Sequence, residues 1–291
     1  MMPSLVLASS TAYGVALATS LMANNFHLAA VLTAKPQPQG RQQQVIPNAV
    51  QIWAAQKNVP IFLIEKKITP NLQTQLKTTD FLLVIDFGYY IPSWLIKKQR
   101  VVAINVHPSA LPAYRGASPG QYVLLHGQLS SAVSFIKVSE QMDAGDVFSQ
   151  IKFAVNPSWR SNDYYDFAFA LAAKHLPQIC QQIITGEITA TAQQGVVSLA
   201  PKLSKKDAYI SWQKFQLALK GQADQAITIE RMVRAFYPWP LVWTIIPNST
   251  KKKRLQLITC KLNNGKLLPI RVKLAGKNTQ PWQTIAATLP L

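Results

Sequence analysis

Short apolar runs and stretches of helical spacing take turns along the first two-thirds of the chain. Residues 4–9 (SLVLAS) are continuously apolar or small over strand length and predict a buried strand. In AYGVALATSLMAN, directly after, apolar residues recur every three or four positions, which predicts a helix. HLAAVLT (27–33), VPIFLI (59–64), DFLLVIDF (80–87) and RVVAINV (100–106) read as further buried strands, with NAVQIWAAQ (48–56) as a helix between two of them. Strands alternating with helices predict an α/β fold with a Rossmann-like, mostly parallel sheet. SAVSFIKV (131–138) and DVFSQIKFAV (146–155) have no helix between them, so they are expected to pair antiparallel. A long helical stretch follows at about 160–185.

The pattern then changes. The polar, Gly- and Thr-containing segment at about 185–200 reads as a linker. Beyond it comes one helical piece (212–236) and three β-type runs, LVWTIIP (241–247), RLQLITCKL (254–262) and KLLPIRVKL (266–274). NNGK (263–266) carries Asn264-Gly265, the pair that favours a tight hairpin. Several short strands in one small module predict a small OB-like β-barrel. The expected organisation is a catalytic domain at 1–188, a linker at 189–204 and a C-terminal module at 205–291.

Charge sharpens this division. The chain of 291 residues has a formal net charge of +18. Residues 1–200 carry 14 basic and 9 acidic side chains, whereas residues 201–291 carry 16 and 3. Such a lopsided module points to a polyanionic partner, nucleic acid before membrane; the bland alternative is a generally basic proteome or a solubility device. The two cysteines, Cys180 and Cys260, stand far apart without a CxxC pair, which fits a reducing cytoplasm. The apolar start has no Lys or Arg before Lys35 and is studded with Ser and Thr, so it reads as a strand and helix, not as a leader or membrane span.

Candidate chemistry gathers in NVHPSALPAYRG (105–116). Asn105 and His107 are two apart on a strand and so project to the same side. They sit at its carboxyl end, where open parallel sheets bind ligands. An imidazole passes protons near neutral pH, and an asparagine amide can donate to an oxyanion. Asp143, in MDAGDV, precedes Ala144 and Gly145, small residues that let the backbone turn closely around a ligand. A histidine near a strand end is more commonly a surface or packing residue, and that alternative stands on residue types alone. His27, His126 and His175 lack such company and read as structural. Gly-rich phosphate loops, metal-ligand spacings and nucleophile elbows are missing from the sequence.

NVHPSALPAYRGASP closely resembles the N-x-H-x-S-L-L-P-x-Y-R-G-x-x-P signature of folate-dependent formyltransferases, and MDAGDV resembles their L-D-x-G-D segment. VIDFGYYIP (84–92) is similar to the V-A-Y-G-x-I-L-P stretch against which that family packs the pterin. KPQPQGRQQQVIPNAVQ (35–51) resembles the K-P-A-G-R insertion of the methionyl-tRNA formyltransferase branch. LAPKLSKKDAYISW (199–212) and RMVRAFYPWPLVWT (231–244) resemble that branch's entry into its second domain and its I-R-A-x-x-P-W-P-G-A-x-T segment. The chain departs from the pattern at Ser9-Ser10-Thr11, Asp86, Ser139, Gln141 and Leu241.

The resemblance implies a catalytic set of Asn105, His107 and Asp143, with no metal. It implies a site for 10-formyltetrahydrofolate built from Phe87, Gly88, Tyr89, Tyr90 and Ile91, with Ser109, Ala110, Leu111 and Pro112. It implies tRNA contacts through Lys35, Arg41, Lys202, Lys205, Lys206 and Arg234. The implied activity is transfer of a formyl group to the α-amine of methionyl initiator tRNA, by a cytoplasmic monomer that engages no membrane. Two other readings stay open: a folate-dependent formyltransferase acting on a nucleotide-sugar amine, and a catalytically weak RNA-binding relative.

Overall fold

The computed structural model describes residues 2–39, 43–247 and 253–290. Its first elements are β1 (Ser4–Ala8), α1 (Ala12–Ala23), β2 (His27–Ala34), the two-residue strands β3 (Pro38–Gln39) and β4 (Gln44–Val45), α2 (Ala49–Gln56) and β5 (Ile61–Ile64). Then come α3 (Leu72–Gln75), β6 (Phe81–Val84), α4 (Ser93–Lys97) and β7 (Val102–His107). The chain continues through α5 (Pro119–Leu125), β8 (Ser130–Lys137), β9 (Val147–Ala154) and α6 (Ser161–Thr185).

Seven of these strands form one sheet in the order β5-β2-β1-β6-β7-β8-β9. The five from β5 to β7 are parallel, and β8 turns antiparallel to β7. Leu5, Val6, Leu7 and Ala8 on β1 and the whole of β6 are buried, as central parallel strands require. Burying each such Leu or Val contributes roughly 1.5–3 kcal/mol. Helix α1 turns Gly14, Leu17, Ala18 and Leu21 inward at helical spacing. Helix α2 begins at Asn48, whose side chain accepts from the Gln51 amide at 3.1 Å. The strand order reverses direction between β1 and β6. That reversal opens a crevice at their carboxyl ends.

The C-terminal elements are α7 (Trp212–Lys220), α8 (Ala223–Ala235), β10 (Val242–Ile245), β11 (Arg254–Asn263), β12 (Lys266–Leu274), β13 (Thr279–Pro281) and α9 (Gln283–Ala286). The helical piece expected at 212–236 is two helices. Gly221 takes φ 102°, a left-handed conformation that ends α7 and that a side chain would resist. β10 to β13 form a four-stranded antiparallel sheet in sequential order. Asn264 and Gly265 both take positive φ, 48° and 76°, at the hairpin between β11 and β12.

The chain divides into two compact units that are not contiguous in sequence. The first comprises residues 1–115, 132–153 and 166–199; the second comprises 116–131, 154–165 and 200–291. In the second, α8 packs against α5, α7, β11 and β12. Among the described residues, no helix is long and apolar enough to cross a membrane.

Candidate active site

β6 and β7 run side by side, with Val84 opposite Asn105. The residues just beyond both strand ends are therefore neighbours. Asn105 and His107 lie at the end of β7, and His107 is 4% exposed. Asp143 comes from the turn between β8 and β9, with φ 52°. The Asn105 Nδ2 group donates to Asp143 Oδ1 at 3.0 Å, and His107 Nδ1 lies 3.5 Å from Asp143 Oδ2. One carboxylate thus engages both partners, one through each oxygen. On its far side, His107 Nε2 meets the Tyr114 carbonyl oxygen at 3.0 Å. A carbonyl only accepts, so Nε2 carries a hydrogen, and the ring has an acceptor in front of each nitrogen.

Two devices hold this arrangement. Ser134 on β8 donates to the Ser109 carbonyl at 2.6 Å, and Gln150 on β9 donates to the Leu111 carbonyl at 2.7 Å; together they pin the 108–113 loop. At Gly145 a Cβ would lie 1.9 Å from the Lys137 carbonyl oxygen, so the Asp143 turn approaches β8 as closely as only glycine permits.

Around β6, Phe87 and Tyr89 pack ring against ring at 5.2 Å, Tyr90 is 63% exposed, and nothing lies within 4 Å of a Cβ placed on Gly88. Ala110 is partly exposed, whereas Ile91, Ser109, Leu111 and Pro112 are buried and support the loops from behind. Asp86 keeps solvent access beside the crevice, but the protein crowding around it raises its carboxyl above the usual range, and the Thr11 hydroxyl pulls the other way.

The candidate tRNA residues fare differently. Lys35 pairs with Glu65 at 3.3 Å, and both are exposed. Arg41 lies outside the described residues. A tight turn closed by Ser204 and Asp207 presents Lys202, Lys205 and Lys206 to solvent; hydrogen bonds from Ser204 hold the Asp207 carboxyl below its usual range. Arg234 is turned inward. Its guanidinium bonds Glu230 at 2.7 Å and the Trp159 carbonyl at 3.0 Å, so it serves the packing of the second unit.

The sequence reading missed Arg115 and Gln193. Gln193 donates to the carbonyls of Asp143 and Gly145, and Arg115 donates to Gln193. Gln193 sits in the stretch read as linker, where nothing in residue type or spacing marks it. Two open hollows of about 350 and 400 Å³ flank α8 in the second unit. Neither touches Asn105, His107 or Asp143, and the convergence of those three side chains locates the chemistry better than hollow size does.

Residues 2–180 match the formyl transferase family. The chain belongs to that family. It is 30% identical over 228 residues to the methionyl-tRNA formyltransferase of Listeria innocua, covering 77% of this chain and 70% of the relative. It is 27% identical over 237 residues to the methionyl-tRNA formyltransferase of Geobacter metallireducens, covering 80% and 73%. Its fold superposes on the N-formyltransferase of Helicobacter canadensis, solved with folinic acid and dTDP-3-aminofucose. The TM-score there is 0.64 at 17% identity, over 91% of this chain and 89% of that one. The protein is an enzyme of formyl transfer.

Proposed function

We propose that the enzyme moves the formyl group of 10-formyltetrahydrofolate to the α-amine of methionyl initiator tRNA. The observation that carries the chemical part is Asp143 bridging Asn105 and His107 at the carboxyl end of β7. The names of the relatives and the basic C-terminal residues support the acceptor. The open, aromatic Phe87–Tyr90 loop beside β6 fits a flat pterin, with Gly88 leaving room for close approach.

When bound, the folate supplies a formyl carbon that an amine attacks, and negative charge builds on the formyl oxygen. Asn105 uses one amide hydrogen on Asp143 and has the other to offer that oxygen. His107 lies beside the same point, its ring fixed between the Asp143 carboxylate and the Tyr114 carbonyl. Asp143 orients both and is the acceptor placed to take the amine proton, directly or through water, and to return it to the folate nitrogen as the bond from that nitrogen to the formyl carbon breaks. Substitution of Asn105 removes a donor that in such sites is worth about 100- to 1000-fold in rate.

In this reading the catalytic set lies within 1–188, residues 189–204 run from there to the C-terminal module, and 205–291 form an OB-like module that holds the tRNA backbone. The four-stranded sheet β10–β13 is compatible with such a module. Lys202, Lys205 and Lys206 are the exposed cations on its approach. Their joint replacement by alanine should weaken tRNA binding and lower the log–log salt slope by about 2–3.

The deciding experiment offers the purified enzyme and 10-formyltetrahydrofolate three acceptors: initiator methionyl-tRNA, elongator methionyl-tRNA and a dTDP-linked amino sugar. Formylation of the initiator with strong preference is expected. Formylation of the amino sugar with none of either tRNA would overturn the assignment.

A further inference from the structure

We propose that Gln193 is a positioning residue for the reacting carboxylate, its side-chain amide holding the turn that presents Asp143. The amide can face only one way. Arg115 Nε and Nη2 both meet Gln193 Oε1, at 3.1 and 2.7 Å, and a guanidinium only donates. The Nε2 group therefore points to the other side, where it donates to the carbonyl oxygens of Asp143 and Gly145, each at 2.8 Å. Both amide hydrogens and both oxygen lone pairs are engaged. The two carbonyls bracket Ala144 within a turn where Asp143 holds a left-handed φ of 52°. That conformation is unfavourable for a non-glycine residue and persists only where its surroundings impose it. Gln193 is the side chain that grips the backbone on both sides of it.

The rest of the 189–199 segment does not depend on this side chain. Thr191 exchanges two backbone hydrogen bonds with Val147, at 2.8 and 3.0 Å. Ser198 accepts from the Arg115 amide at 2.9 Å through its carbonyl and from the Tyr114 amide at 2.9 Å through its hydroxyl. The segment stays anchored on both sides when residue 193 is changed, so loss of the amide should free the turn and leave the fold in place. The inference rests on Asp143 being a reacting group, as proposed above.

The test compares Gln193→Ala, Gln193→Glu and Asp143→Asn in steady-state transfer from 10-formyltetrahydrofolate to methionyl-tRNA, with thermal melts of each. Gln193→Ala should lower kcat about 10- to 100-fold, since misplacing a reacting group by ~1 Å has that effect. The KM for each substrate should stay within a factor of about three and the melt should be cooperative. Gln193→Glu should lose at least as much kcat. It keeps a partner for Arg115 but sets a carboxylate against two carbonyl oxygens. Wild-type kcat in Gln193→Glu would mean that Arg115 tethering alone matters and would overturn the proposal. So would kcat within about threefold of wild type in Gln193→Ala while Asp143→Asn is inactive. Substantial turnover in Asp143→Asn would instead remove the reading on which the inference stands.

Discussion

Gly145→Ala tests the geometry of the site while leaving every reacting residue unsubstituted. The added Cβ would stand 1.9 Å from the Lys137 carbonyl oxygen, against a floor near 3.0 Å for real contacts of this kind. The oxygen belongs to the backbone of β8, which is paired into the sheet, so the turn must retreat by about 1 Å. Asp143 sits two residues back along that turn. Its 3.0 Å hydrogen bond to Asn105 would lengthen past hydrogen-bonding range, and its 3.5 Å ion-pair contact with His107 would open further. A displacement of this size corresponds to roughly a 100-fold loss of kcat, or about 2.7 kcal/mol of barrier. Crowding should lower stability by about 1–3 kcal/mol. The assay is steady-state formyl transfer to methionyl-tRNA beside a urea melt that establishes the folded fraction. A folded variant with kcat within about threefold of wild type would refute the argument that the turn is held at its closest approach.

Gly88→Ala meets open space, so its stability should match wild type while its KM for 10-formyltetrahydrofolate rises severalfold; an unchanged KM would place the pterin elsewhere. Two aspartates should respond to pH with opposite signs. Asp80 is held well below the usual carboxylate range, chiefly by hydrogen bonds from Arg100 and then from Ser4, so its contribution is present above about pH 4 and is lost as pH falls through the lowered value. Asp80→Asn should therefore destabilise by roughly 1–2 kcal/mol at pH 7, the half-exposed Arg100 limiting the effect, and by less in acid. Asp86 keeps solvent access, but the protein crowding around it raises its carboxyl, so its ionisation opposes folding at neutral pH by a solvent-screened amount. Asp86→Asn should stabilise at pH 7, with the gain vanishing below about pH 4, and a melt series from pH 3 to 8 checks both.

The central strands were legible because a parallel strand buried on both faces leaves an unbroken apolar run, as in Leu5–Ala8 and Phe81–Val84. The pair Asn105 and His107 was legible because period-two geometry sets both on one side of a strand end. What stayed hidden has physical reasons. The apolar period runs through Phe215, Ala218, Ala226 and Ile229, so it masks the break that Gly221 makes. α5 starts at Pro119-Gly120, which reads as a loop until its burial is seen. β13 is three residues ending in proline and carries no period. Arg234 fitted a motif, yet Glu230 one helical turn earlier already supplies its partner. Gln193 acts through backbone carbonyls, and such contacts leave no trace in the residues they hold.

The interleaving of the two units bears on how the chain is made. Residues 119–125 form α5, whose Pro119, Gly120, Val123 and Leu124 are buried, and α8, against which it packs, begins about 100 residues later at Ala223. At translation rates of roughly 5–20 residues per second, α5 waits on the order of 5–20 s for its partner. During that interval the part of α5 that α8 will cover is open to chaperones or to neighbouring nascent chains. A chain stopped near residue 200 never closes that gap, so a truncated catalytic fragment should behave as a folding intermediate that aggregates rather than as a smaller enzyme.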